Sequence, residues 1–227
     1  MPPRRALIVT LMARHYGQPM VSRAEALAYW RDIDQNVTID YLSLYTANAI
    51  GISRCEAVIA KYIHAREVFL AGNWDTFISI EDDMVIPQDT FPRLMRVLDG
   101  GADVAYGLYA WRDSKPLWNA YRILEEVGGL SISSIEGAPA RYWGTVQDVA
   151  GLGMGCTAIE RQTLEAIPFR WDGRTSNDWT FALDCQAKGF KQQCDLGLVC
   201  GHMAVVDEPV ILWPDVTQPE LIRLEDV

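Results

Sequence analysis

The sequence predicts an α/β fold, built as one domain with a mostly parallel central sheet and helices on its faces. Three short apolar runs rich in β-branched residues occupy residues 6–12, 37–44 and 76–80. A helical pattern separates the second run from the third. Strand, helix and strand at this spacing are typical of the βαβ unit of a parallel sheet.

The elements of the first half follow from local patterns. ALIVTLM at residues 6–12 predicts a buried strand that ends in a polar loop, and VTIDYLSL at 37–44 predicts the next strand. The S-R-C-E sequence that begins at Ser53 has the form of a capping box, which starts a helix, and Gly72 ends that helix. The strand at residues 76–80 follows almost at once.

The second half of the chain adds three helices and two strands. Helices are predicted at residues 87–98, at 158–167, and from a cap within 176–178 to residue 188, and strands are predicted at 102–109 and 192–200. Residues 110–148 have no clear period, which indicates hairpins or loops.

The domain organisation is predicted to be simple. Since the chain contains no internal repeat, low-complexity tract or linker, residues 1–206 are predicted to form one domain. The acidic segment 207–227 is predicted to be a C-terminal tail, for which a lid, a dimer contact and partial disorder stay open. A homo-oligomer is therefore among the expected states.

Composition narrows the class of partner. The chain has 227 residues and a net charge of -10, and its longest cluster of basic residues is the pair Arg4-Arg5. Such a surface repels a nucleic-acid backbone, so nucleic acid is disfavoured as a partner. No apolar run approaches the roughly 18 to 20 residues of a membrane helix, and a cytoplasmic location is expected. Five cysteines without paired spacing predict reduced, buried thiols.

An acidic triplet interrupts the apolar stretch FISIEDDMVIP. Glu81, Asp82 and Asp83 follow a buried strand directly, and ligands of parallel sheets bind at the carboxyl ends of the strands. Because the first and third acids alternate, two carboxylates can face one side. Hard oxygen ligands suit Mg²⁺ or Mn²⁺, so the triplet predicts a metal site that clamps a diphosphate. The alternative is a solvated acidic turn.

On these residues the sequence resembles the nucleotide-sugar-dependent glycosyltransferases of the GT-A fold, particularly the family 2 type and its compact bacterial and phage relatives. The resemblance extends to about Met203. In that family a D-x-D motif binds a divalent cation that bridges the donor diphosphate, and the triplet stands in its place with Glu for the first Asp. By resemblance, Asp83 and Glu81 are metal ligands, Asp82 reaches the ribose or a metal-bound water, and His202 completes the metal shell.

The segment 176–203 resembles the part of the same family in which an acidic pair opens a helix and a later strand ends in Gly-His. Here the pair is Asn177-Asp178, so the first acid is lost. The resemblance implies that Asp178 is the general base, while a simple N-cap is the structural alternative. Its neighbour Trp179 is the expected acceptor contact, because an indole can stack on a sugar.

The resemblance also assigns the remaining binding residues. Arg54 at the start of a helix, with Thr10, Met12 and Arg14 of the first loop, is expected to hold the nucleotide. Residues 153–156 of the glycine-rich stretch 151–156, with Gly153 and Gly155, are expected to form a floor under the donor sugar and acceptor. The alternatives are an exposed first-turn charge for Arg54 and a tight turn for the glycines.

The expected activity is metal-dependent transfer of a sugar from a nucleoside-diphosphate sugar to an acceptor hydroxyl. The resemblance favours inversion at the anomeric carbon and UDP as the nucleotide, although the same fold also supports retention. Two other classes stay open. A sugar-nucleotide-type nucleotidyltransferase would also bind Mg²⁺ at a sheet edge, and a nonenzymatic nucleotide-sugar-binding module would need no base at Asp178.

Overall fold

The computed structural model describes residues 4–12, 17–45, 53–110, 122–124, 131–133, 143–173, 176–205 and 209–214. These ranges contain eleven strands and five helices. The strands are β1 (Arg5–Met12), β2 (Thr38–Tyr45), β3 (Thr76–Ile80), β4 (Met84–Val85), β5 (Val104–Tyr109), β6 (Arg122–Leu124), β7 (Ser131–Ser133), β8 (Val146–Asp148), β9 (Cys156–Glu160), β10 (Gln192–Val205) and β11 (Pro209–Leu212). The helices are α1 (Gly17–Ile33), α2 (Arg54–Ala71), α3 (Thr90–Asp99), α4 (Arg161–Ala166) and α5 (Asn177–Ala187).

Nine strands form one central sheet in the order β11-β10-β5-β9-β3-β1-β2, with β4 and β8 as further partners of β10. The strands β1, β2, β3, β5 and β10 run in one direction, while β4, β8, β9 and β11 run against them. A separate two-stranded antiparallel sheet pairs β6 with β7. The predicted α/β class with a mostly parallel sheet is confirmed.

Each face of the sheet carries its own apolar core. Alternate residues of β1 divide between the two cores, with Leu7 and Val9 on one face and Ala6 and Ile8 on the other. The first face packs against α2, α4 and α5, and the second against α1 and α3. Burial on both faces explains why the central strands are continuous apolar runs rather than alternating ones.

Two local predictions are confirmed. The strand at 76–80 has the predicted bounds. The capping box at the start of α2 is complete: the Ser53 side chain accepts a hydrogen bond from the Glu56 N–H, and the Ser53 N–H donates to Glu56 Oε2 at 2.8 Å. The strand and the capping box both depend on residues close in sequence, so the local sequence pattern was enough to predict them.

The helix predicted at 158–167 is wrong over its first three residues. Residues 156–160 form β9, which pairs with both β3 and β5, and only Arg161–Ala166 is helical. A short apolar run does not distinguish a buried strand from a buried helix. The helix α1 was not predicted, because its apolar residues do not lie on one face: Met20 and Val21 are exposed.

The remaining outcomes concern the C-terminal strands, the domain boundary, the cysteines and membrane-spanning helices. The strand predicted at 192–200 continues to Val205, and residues 209–212 of the predicted tail pair with it as β11. The domain boundary at 206 stays a prediction. Four of the five cysteines are buried, while Cys55 is exposed. Within the described ranges, no helix has both the length and the apolarity that crossing a membrane requires.

Candidate functional site

Residues 81–83, hereafter the acidic turn, link β3 to β4 at the carboxyl end of β3. Backbone hydrogen bonds fix the turn at both ends, since the Glu81 N–H donates to the Gly155 carbonyl at 3.0 Å and the Met203 N–H donates to the Asp83 carbonyl at 2.8 Å. Asp82 and Asp83 are only 6% and 5% exposed. A solvated acidic turn is therefore the wrong description, because two of the three acids are withdrawn from water.

His202 lies beside Asp83. It belongs to β10, where it pairs with Met84 of β4, and its Nε2 is 3.7 Å from Asp83 Oδ1. Its Nδ1 is 2.8 Å from the Ala110 carbonyl oxygen, and its ring packs edge-on against Tyr109 with centroids 5.3 Å apart. Because a carbonyl only accepts, Nδ1 carries the proton, and the lone pair of Nε2 in the neutral imidazole lies on the side of Asp83. Metal-binding histidines are oriented in this way.

The Asp83–His202 pair fits a divalent metal ion. A carboxylate and a neutral imidazole are both ligands of Mn²⁺, and two donor atoms 3.7 Å apart can each lie about 2.1 Å from one ion. Among the described residues, no three His, Cys, Asp or Glu side chains are grouped closely enough to hold a metal. The two donor atoms closest to this position are Asp83 Oδ1 and His202 Nε2, 3.7 Å apart.

Glu81, the third predicted ligand, is held by a different partner. The Tyr62 hydroxyl donates to Glu81 Oε1 at 3.0 Å and also contacts Ser79 Oγ at 3.1 Å. Tyr62 is fully buried, and burial together with the charge of Glu81 raises the pKa of its hydroxyl well above the ordinary value. Glu81 thus faces α2, and its role as a direct metal ligand stays a prediction.

Two buried cations that the sequence reasoning missed lie next to the acidic turn. Lys61 of α2 is 8% exposed and donates from Nζ to the Met12 carbonyl at 3.2 Å. Arg23 of α1 is 4% exposed and donates from Nη1 to the Glu81 carbonyl at 3.2 Å. Burial lowers the pKa of Lys61, against the opposing effect of Asp82 and Glu81. Lys61 lies between Ile59 and Tyr62, two core positions of α2. This position in the sequence was the available sign that Lys61 is buried.

The residues predicted to hold the nucleotide lie partly at the same edge. Thr10 and Met12 are buried at the carboxyl end of β1, the strand adjacent to β3. The Thr10 hydroxyl accepts a hydrogen bond from Tyr41 at 2.6 Å, and the Met12 carbonyl accepts the one from Lys61. Arg54 is the first residue of α2, as predicted, and Arg14 lies outside the described residues.

Asp178 lies in the first turn of α5, but it is not the N-cap. That position is Ser176, so the N-cap alternative for Asp178 is wrong. Burial raises the pKa of Asp178, while hydrogen bonds from the Ser176 hydroxyl and from the Trp179 N–H, at 3.0 Å, partly oppose the rise. Its charge also contributes to the raised pKa of Tyr62, which places it near the hydroxyl that binds Glu81. Its ionisation therefore depends on burial as well as on its place at a helix terminus.

The first turn of α5 also contains a buried amide, that of Asn177. Asn177 is buried, and its Nδ2 has no hydrogen-bond partner within the described part of the chain. Trp179 is partly buried beside it. The predicted acceptor contact of Trp179 stays a prediction, since no contact in the described residues bears on it.

The two predicted glycines are buried next to β9. The Gly153 carbonyl accepts a hydrogen bond from the Thr157 hydroxyl at 3.2 Å, and the Gly155 N–H donates to the Tyr109 hydroxyl at 3.2 Å. A Cβ at Gly155 would lie 3.0 Å from both Met84 Sδ and Tyr109 Cζ. The requirement for glycine at position 155 thus comes from the packing of protein atoms, and the predicted contact with a sugar stays a prediction.

Comparisons with known proteins support the fold. No protein-family model matches the chain, and no curated protein matches its sequence. Among solved structures, the chain is similar to A197 from STIV, with 18% sequence identity and a TM-score of 0.57 over 96% of this chain and 97% of that one. An identity this low shows a shared fold alone.

Proposed function

We propose that this protein is a metal-dependent glycosyltransferase that moves a sugar from a nucleoside-diphosphate sugar to an acceptor hydroxyl. The observation that carries the proposal is the Asp83–His202 pair, with Nε2 3.7 Å from Oδ1, at the carboxyl end of a mostly parallel sheet. Ligands of such sheets bind at this edge.

Asp83 and His202 would hold the metal, with Mn²⁺ favoured over Mg²⁺ because one donor is an imidazole nitrogen. When bound, the ion neutralises negative charge on the departing diphosphate. The buried carboxylate of Asp83 contributes a fixed charge, and the Ala110 carbonyl keeps the proton of His202 on Nδ1. Glu81 and Asp82 complete the negative rim of the site.

Asp178 is the proposed general base. Burial raises its pKa, and its charge acts on the Tyr62 hydroxyl that donates to Glu81. A carboxylate with a raised pKa is a better proton acceptor near neutral pH, which suits removal of the proton from an acceptor hydroxyl. Attack by that oxygen on the anomeric carbon, with departure of the diphosphate from the opposite face, gives inversion.

The nucleotide would lie along the carboxyl end of β1. Thr10 and Met12 border this position, and Arg54 and Arg14 would supply positive charge for the phosphates. UDP is the proposed nucleotide, by resemblance to the family. A cytoplasmic location fits a donor of this class, and the hydroxyl acceptor would approach past Trp179.

The test is thermal unfolding with UDP, GDP, CDP, ADP and dTDP, each with and without Mn²⁺. A ligand at 100 times its Kd stabilises the native state by about 2.7 kcal/mol, which raises the Tm of a chain of this size by roughly 5 to 11 °C. We expect such a shift for one nucleotide, only with Mn²⁺, and its loss in Asp83→Asn.

The matched control is Asp99→Asn. Asp99 is exposed and ends α3, just before the start of β5, so it lies at the opposite end of the sheet. This variant should keep the metal-dependent shift. Absence of a shift with all five nucleotides would contradict the proposal. Release of nucleoside diphosphate from the matching sugar nucleotide then distinguishes the classes: a nonenzymatic binding module releases none, and a nucleotidyltransferase releases pyrophosphate from a nucleoside triphosphate and a sugar phosphate.

A further inference from the structure

Lys61 is a buried cation next to the carboxylates of the acidic turn, and the proposed function gives it no role. Its ammonium donates to the Met12 carbonyl at the end of β1, while its charge interacts with Asp82 and Glu81 at the end of β3. It therefore lies between the two strand ends that the proposed nucleotide would span. A buried ammonium is unfavourable unless its charge is compensated, so its presence requires an explanation.

The charges at this edge of the sheet explain why an ammonium is buried here. The acidic turn carries three carboxylates, and His202 is neutral when Nε2 is unprotonated. A divalent ion and the buried guanidinium of Arg23 together balance these three negative charges. The ammonium of Lys61 then adds one positive charge, which attracts the two negative charges of a nucleoside-diphosphate sugar. It also repels the divalent ion, since the two charges have the same sign.

We propose that Lys61 is a positioning residue of the donor site, which holds the end of β1 next to the acidic turn and offsets one of its charges so that the site prefers a metal-bound diphosphate to a free metal ion. The inference rests on the proposed function and extends it to a residue on α2. It assigns Lys61 two opposite effects: weaker binding of free metal and tighter binding of the metal-bound diphosphate.

A purely structural Lys61 would behave differently. If the ammonium served only to satisfy the Met12 carbonyl, its removal would loosen the strand end and weaken both binding events together. The sign of the change in metal affinity therefore separates the two roles. An increase in affinity after removal of a buried side chain does not arise from disorder.

The experiment compares wild type, Lys61→Met and Lys61→Arg by isothermal titration, first with Mn²⁺ alone and then with inorganic pyrophosphate at saturating Mn²⁺. Pyrophosphate is used because it carries the diphosphate without any choice of base. In Lys61→Met we expect Mn²⁺ to bind about tenfold more tightly and manganese pyrophosphate about tenfold more weakly. Lys61→Arg keeps the charge and should lie close to wild type in both titrations.

Lys188→Met is the matched control, because Lys188 also donates from Nζ to a backbone carbonyl, that of Ala166 at 2.8 Å, but is exposed and distant in sequence from the acidic turn. It should change neither affinity. If Lys61→Met does not fold, as judged by urea unfolding, Lys61→Gln takes its place in both titrations. Weaker binding of both ligands, or no change in either, would overturn the inference. A wild-type protein that binds no Mn²⁺ would overturn the proposed function itself, and this inference with it.

Discussion

The substitution Gly155→Ala tests how packing below the acidic turn supports the Asp83–His202 pair. The added Cβ would lie 3.0 Å from Met84 Sδ, 3.0 Å from Tyr109 Cζ and 3.1 Å from Tyr109 Oη. All three atoms belong to buried side chains, so a neighbour must move by a few tenths of an ångström. Tyr109 in turn packs against the ring of His202, so the displacement reaches the proposed metal donor.

The magnitude follows from two opposing effects. Overpacking of a well-packed core costs roughly 1–3 kcal/mol. Replacing glycine by alanine removes conformational freedom from the unfolded chain, which recovers about 0.4–1 kcal/mol. The net loss in the free energy of unfolding is therefore about 0.5–2 kcal/mol, or a fall in Tm of roughly 1–8 °C for a chain of this size. Displacement of Tyr109 should also weaken Mn²⁺ binding by about tenfold, because Tyr109 packs against the ring of His202 and helps to orient it.

Urea unfolding and isothermal titration with Mn²⁺ measure the two effects. Gly17→Ala is the control, because it is the same substitution at a position where an added Cβ meets no atom within 4 Å. It should leave stability within about 0.5 kcal/mol of wild type and Mn²⁺ binding unchanged. If Gly155→Ala proved as stable as Gly17→Ala and bound Mn²⁺ equally well, the reasoning from packing to metal site would be refuted.

Three further predictions follow from single groups. Tyr62→Phe removes the hydroxyl that donates to Glu81 and should lower the free energy of unfolding by about 2 kcal/mol in urea titrations; an unchanged midpoint would contradict this. Asp178→Asn should abolish sugar transfer yet raise the Tm at pH 7. Because burial raises the folded pKa of Asp178, the native state binds more protons than the unfolded one, and ionisation destabilises it as pH rises. The advantage of Asn should therefore shrink as pH falls through the folded pKa and vanish below the pKa of Asp178 in the unfolded chain. If the Tm of Asp178→Asn stayed above that of wild type in acid, ionisation of Asp178 would be excluded as the cause. A thiol reagent at pH 8 should modify Cys55 rapidly in the native protein and buried thiols such as Cys194, whose pKa burial raises, only on unfolding; more than one fast thiol per chain would be inconsistent with the structure.

The parts of the fold that the sequence predicted well are those decided by neighbouring residues. The strand at 76–80 is apolar at every position, and the capping box at Ser53 is complete within four residues. β9 was mistaken for part of a helix because its state depends on pairing with β3 and β5, which are distant in sequence.

The same distinction applies to the candidate site. The positions of Asp83 and His202 were predictable, since each follows an apolar strand pattern. Their separation of 3.7 Å depends on the pairing of β10 with β4, which is a tertiary feature. Lys61 and Arg23 were missed for the corresponding reason: a lysine or arginine in a helix is usually exposed, and only contacts with β1 and the acidic turn explain their burial.

The central position of β9 has a consequence for the order in which the chain can fold during synthesis. β3 and β5 are complete by residue 109, yet the strand that separates and pairs with both is encoded some 50 residues later. Until residue 160 has emerged from the ribosome, each of these strands keeps an open, apolar edge, which is the feature that promotes wrong pairing and aggregation. Insertion of β9 is therefore the step that joins β5 to the half of the sheet that contains β3, and β5 gains its other neighbour only when β10 follows. A chain arrested before the insertion of β9 is expected to depend on chaperones to stay unaggregated.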